Sequence, residues 1–111
     1  IDLKIRPDLD NRPSQVVDPI DGKQCETSVN VLAYKKETTI LELRPVTGRT
    51  HQLRVHTSAL GHPILGDTLY ASDMIRDLSP DGLRLHAQEI AFNHPVTGER
   101  IKLESISCPF E

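Results

Sequence analysis

Arg44-Pro-Val-Thr-Gly-Arg-Thr-His-Gln-Leu-Arg-Val-His56 is the stretch on which the reading of this chain turns. Its Pro45-Val46-Thr47-Gly48 segment ends an extended run, because proline cannot donate to a sheet ladder and glycine suits a turn. Thr50 then stands where a side chain caps a helix running to about Leu60, with Gly61 and Pro63 as its stop. Leu53, His56 and Leu60 would share one face of that helix. Upstream, Thr27, Val29 and Val31 recur at period two within Glu26–Tyr34, and Thr39–Leu43 follows a Lys35-Lys36-Glu37 turn, which predicts a hairpin feeding the motif. Residues 1–24, with Pro7, Pro13, Pro19 and Gly22, read as an irregular leading arm. Downstream the pattern predicts a short helix near Ser72–Leu78 and strands over Leu83–Phe92 and Arg100–Ser105, turned by His94–Gly98. The fold class is therefore α+β: a mixed, mainly antiparallel sheet with one principal helix and long loops.

Composition sets the outer bounds. The chain has 111 residues, 37% hydrophobic and 26% charged, enough apolar content for one modest folded unit rather than a disordered one. Its longest charge-free, apolar-leaning stretch, Val55–Gly66, is broken by His56, His62, Pro63 and two glycines and falls far short of the roughly 20 residues of a membrane helix. Cys25 and Cys108 lie too far apart to suggest a disulfide framework or metal knuckle, so both read as reduced structural thiols of a cytoplasmic protein. The start at Ile1, without an initiator Met, reads as the mark of a fragment.

A net charge of −3 argues against coating nucleic acid by bulk charge, yet the charge is unevenly spread. Residues 43–66 contain Arg44, Arg49, Arg54 and three histidines without any acid, whereas residues 67–82 set four aspartates against Arg76 alone. A ligand at the first window would meet a cationic surface. Gly48-Arg49-Thr50 leading into a helix suits phosphate, with Arg44 and Arg49 as RNA-contact candidates; the plainer alternative is a capped helix whose arginines are solvated or pair with the hairpin's acids.

Chemistry is harder to find. His51 and His56 stand roughly 140 degrees apart around a helix, a poor metal pair, so no metal site is expected. No phosphate-cradle glycine motif or serine-hydrolase elbow occurs, and Ser58 has no activating context. Asp67, following Gly66, has the setting of a residue that caps a turn, with a pocket nucleophile as the alternative.

The Arg44–His56 run, continued through Ala59-Leu-Gly-His-Pro-Ile-Leu-Gly-Asp-Thr-Leu-Tyr-Ala71, resembles the signature of the RluA family of RNA pseudouridine synthases, and Leu83-Arg-Leu-His-Ala-Gln-Glu-Ile-Ala-Phe-Asn-His-Pro-Val-Thr-Gly98 resembles that family's next block. Together they cover about two fifths of the chain in the family's order. Asn11-Arg12-Pro13 and Gly22-Lys23 in the leading arm look most like the family's bacterial dual-specificity branch, which modifies both rRNA and tRNA.

The resemblance implies cofactor-free isomerisation of flipped-out uridine to pseudouridine in RNA. It implies that Arg54 matches the arginine paired with the family's catalytic aspartate, that Arg44, Arg49, Thr50, His51 and Gln52 belong to the substrate and RNA surface, and that Leu85-His86-Ala87 is the strand helping to close the pocket, with Leu85 in its wall. The family's His-Arg-Leu-Asp motif and its stacking tyrosine are not among these residues; Tyr34 and Tyr70 stand in other blocks. Residues 1–111 accordingly resemble the C-terminal half of a catalytic domain, whose partner would be the missing N-terminal half and whose bared surfaces would favour self-association. Two other readings stay open: a stand-alone non-catalytic RNA-binding module, and an unrelated phosphate-binding hydrolase.

Overall fold

The computed structural model describes residues 1–105, so Cys108 lies outside the described residues. Six strands pair as three antiparallel hairpins: β1 (Ile5–Pro7) with β2 (Gln15–Val17), β3 (Thr27–Tyr34) with β4 (Thr39–Pro45), and β5 (Glu89–Asn93) with β6 (Arg100–Glu104). Helices α1 (Gln52–Ala59) and α2 (Asp73–Asp77) lie between the second and third hairpins. Every strand pairing among the described residues is antiparallel.

The leading arm is more ordered than its prolines suggest. Ile5 faces Val17 across a short ladder, and Lys23 bridges back to Ile5. Pro7 ends β1, and Pro13 falls in the connection, so neither removes a donor that the ladder needs. Asp18 ties the far end: its Oδ1 accepts from the backbone N–H groups of Ile20 and Asp21, and Oδ2 accepts from Arg6 Nε at 2.6 Å. Strands of three residues are too short for alternation to betray them.

The central hairpin follows its period-two pattern, with a register irregularity between Val31 and Ala33, and β4 ends at Pro45 as the turn chemistry predicts. In α1, Gly61 takes φ +85° just past the end, the left-handed geometry that stops a helix. Its start departs from expectation. His51, not Thr50, is the N-cap residue, at φ 54°, with no side-chain cap. The Gln52 side chain instead braces the turn before the helix, its Oε1 accepting from Arg49 N–H and from the Thr47 hydroxyl. A third correction concerns residues 83–88, which form no strand; β5 begins only at Glu89, so Leu85-His86-Ala87 is a connecting segment.

The apolar core is small. Ile5, Cys25 and Val55 are its buried members, with Val17 and Tyr70 packed beside them. The face that α1 buries is largely polar, carrying Gln52, His56 and Thr57 with Val55, while Leu60 is exposed. Such a face is stable only if each polar group finds a partner. They do: Thr57 Oγ1 donates to the Leu53 carbonyl, and His56 lies between the Leu3 carbonyl and Thr27 Oγ1, each at 2.8 Å. A radius of gyration of 15.5 Å exceeds the roughly 13 Å of a compact domain this long. In keeping with that, Val29, Val31, Leu32 and Tyr34 on β3 and Ile90 and Leu103 on the third hairpin stand exposed.

Candidate active site

The turn after β4 and the first turns of α1 form one wall of an open cleft of about 450 Å³. Thr47, Gly48, Arg49, His51, Gln52 and Arg54 line it from that side, and Leu83 and Leu85 from the connection before β5. One hydrogen-bonded chain fixes the turn to the fold beneath. Glu26 N–H donates to Thr47 Oγ1, Thr47 donates to Gln52 Oε1, and Gln52 Nε2 donates to the Glu26 carbonyl and to Thr27 Oγ1. The 47–52 segment is thereby tied to β3 at residues that sequence separation conceals.

Arg54 is held at the cleft by a carboxylate and an aromatic ring. Its Nε and Nη2 donate to Asp67 Oδ2 and Oδ1 at 3.0 and 2.8 Å, a side-on bidentate pair. Its guanidinium carbon lies 5.3 Å from the centroid of the Tyr70 ring, within cation–π range. The acid missing from the 43–66 window therefore comes from just beyond it, brought in by the reversal through residues 61–66. Asp67 also caps its own turn, Oδ1 accepting from the N–H groups of Leu69 and Tyr70. Burial pushes the Asp67 carboxyl up, but the Arg54 guanidinium and those two N–H groups outweigh it and hold the acid below the ordinary carboxylate value. Pairing with Asp67 raises Arg54 further in turn, so both groups are charged at neutral pH.

Tyr70 joins this pair to the rest of the fold. Its hydroxyl accepts from Gln15 N–H at 2.8 Å and lies 2.8 Å from His51 Nδ1, and its ring meets His51 edge-on. Burial raises the phenol, so it remains protonated and able to donate to that nitrogen. In sequence Asp67 reads as a turn cap, which it is, with a pocket nucleophile as the alternative, and its pairing with Arg54 has no signal there; Tyr70 stands outside the expected site residues altogether.

The remaining candidates divide. His51, Gln52, Arg49, Arg54 and Leu85 converge on the cleft. Arg49 also donates from Nε to the Gln24 carbonyl at 3.1 Å. Arg44 lies one residue before the cleft-lining Pro45 and pairs with Glu42 at 3.1 Å, as the plainer reading of the hairpin's charges held. Thr50 is exposed beside the N-cap and is not among the cleft residues. Of the window's histidines, His62 is exposed and His56 is fully buried. No helix among the described residues is long and apolar enough to cross a membrane.

Against this geometry, the sequence profile described as RNA pseudouridylate synthase matches residues 1–59. The chain is 49% identical over 110 residues to a dual-specificity RNA pseudouridine synthase RluA of Pasteurella multocida, covering 98% of this chain and 48% of that protein. The corresponding protein of Escherichia coli is 43% identical over 106 residues, covering 95% of this chain and 48% of its own length. The solved structure of human RNA pseudouridylate synthase domain containing 1 superposes with a TM-score of 0.80 at 32% identity, over 96% of this chain and 47% of that one. The chain thus spans about half the length of the relatives it matches. On the profile match and these likenesses, the chain belongs to the RNA pseudouridylate synthase family.

Proposed function

We propose that the polypeptide carrying this chain is an isomerase that converts uridine to pseudouridine in rRNA, tRNA or both, in the cytoplasm and without a cofactor. In that reaction the N1–C1′ bond of the nucleotide breaks, uracil turns within the closed site, and a C5–C1′ bond forms as the C5 hydrogen leaves as a proton and N1 takes one up. The observation that carries the reading is Arg54, held charged and oriented at the cleft wall in a chain of this family. Its role would be to keep a carboxylate from the preceding half of the catalytic domain ionised and aimed at the ribose. Leu83 and Leu85 would wall the base, and Arg44, Arg49, Thr50, His51 and Gln52 would meet the RNA around it. Exposed apolar residues on β3 and the third hairpin support association with further polypeptide, that preceding half or a second copy.

Tritium release from RNA labelled at uridine C5 tests the activity in the full-length polypeptide. Arg54→Ala should lose most turnover while RNA binding remains measurable; near-normal turnover would overturn the assignment. A stand-alone RNA-binding module would bind the same RNA and release no tritium from any variant.

A further inference from the structure

An arginine that must hold a carboxylate has a conformational problem of its own: four rotatable side-chain bonds and a charge that attracts any acid nearby. Here that freedom is removed. Asp67, at the end of the reversal after α1, grips the guanidinium by its Nε–Nη2 edge. Tyr70 covers one of its faces, and the N–H of Tyr70 is itself capped by Asp67. Asp67 is fully buried, so this carboxylate cannot swing away without leaving a buried charge unpaired. A guanidinium has five N–H donors and the pair uses two, so the end-on Nη1–Nη2 edge is directed elsewhere. Gly66 sets the approach of this turn: at φ +80° it packs against the Gly82 carbonyl, where a Cβ would collide.

We propose that Asp67, backed by the Tyr70 ring, is a positioning residue for isomerisation: it clamps one edge of Arg54 so that the other is presented, already oriented, to a second carboxylate at the cleft. The inference rests on the isomerase reading above. Two acids then share one guanidinium with divided tasks, the buried one orienting and the other taking part in the chemistry. The pattern accounts for an acid held ionised without touching substrate.

The test uses the full-length enzyme under single-turnover conditions. Asp67→Asn keeps an oxygen for the Leu69 and Tyr70 N–H groups and removes the charge opposite Arg54. The expected result is a rate lower by about 10²-fold, the scale of a misplaced catalytic group, with RNA affinity unchanged. Asp67→Glu should recover part of that loss, and Asp67→Asn added to Arg54→Ala should cost nothing further, because one residue acts through the other. A rate within twofold of wild type, or a loss that multiplies on the Arg54→Ala background, overturns the clamp while leaving the isomerase reading intact. If Asp67→Asn does not fold, Tyr70→Leu, which removes the ring over Arg54, decides instead: a slower step at unchanged RNA affinity supports the clamp, and a wild-type rate overturns it. Absence of tritium release from the wild-type enzyme sinks the isomerase reading, and the clamp with it.

Discussion

Replacing Thr27 with valine probes the polar centre on which the cleft rests. Thr27 is fully buried, and its Oγ1 accepts from Gln52 Nε2 at 2.9 Å and lies 2.8 Å from His56 Nδ1. The Leu3 carbonyl can only accept, so His56 Nε2 carries a hydrogen, and in the neutral ring Nδ1 accepts from the Thr27 hydroxyl. Valine matches threonine in shape and favours strands at least as well, so volume and propensity do not oppose the change. It strands one imidazole nitrogen and one amide hydrogen; at about 1–3 kcal/mol for each buried unpaired group, the loss is about 2–6 kcal/mol. Thr27→Ser keeps the hydroxyl and removes one methyl, costing roughly 1 kcal/mol. Urea unfolding followed by far-ultraviolet circular dichroism, compared at unchanged m, measures both. The more hydrophobic, isosteric variant should be the less stable one. If Thr27→Val proves as stable as Thr27→Ser or more so, the polar chain is not what supports the cleft wall.

Two further expectations follow from single turns. Hydrogen bonding from Arg6, then from the Asp21 and Ile20 N–H groups, holds the Asp18 carboxyl at about 2, below the 3.8 of an ordinary aspartate. Because the folded value is the lower one, this stabilisation is complete above about pH 4 and is lost as pH falls towards 2. Asp18→Asn should therefore flatten acid unfolding across that window, and a curve parallel to wild type would contradict it. Gly66→Ala should destabilise by more than about 1 kcal/mol, because it combines a positive φ with a collision at Gly82, whereas Gly48→Ala, with open space around it, should be close to neutral; equal effects in thermal unfolding would refute the packing assigned to the 66–82 contact.

Local chemistry made several elements legible. Period-two alternation marked the central hairpin, Pro45-Val46-Thr47-Gly48 marked its end, and Gly61 marked the helix stop, because each acts through the backbone of its own neighbourhood. The same logic misassigned the helix start. Thr50 has the right chemistry for a cap, but Gln52 was recruited by Thr47, Arg49 and Glu26, and no pattern within the helix announces that. Nor does the shared face of Leu53, His56 and Leu60 say what α1 buries: the buried face is hydrogen-bonded, and whether a histidine is buried depends on a partner such as the Leu3 carbonyl, 53 residues away.

The motif from Arg44 to Ala71 was enough, as sequence, to point to the family and to single out Arg54. What Arg54 does with its charge was decided only in three dimensions. Asp67 lies 13 residues on, and Tyr70 reaches Gln15 across 55 residues, so the clamp exists only once the turn at Gly66 folds back against Gly82. The physical reason is range. Caps, turns and alternation are set by atoms within a few residues of one another, whereas a buried ion pair requires the whole chain to bring two distant charges together and exclude the water that would otherwise separate them.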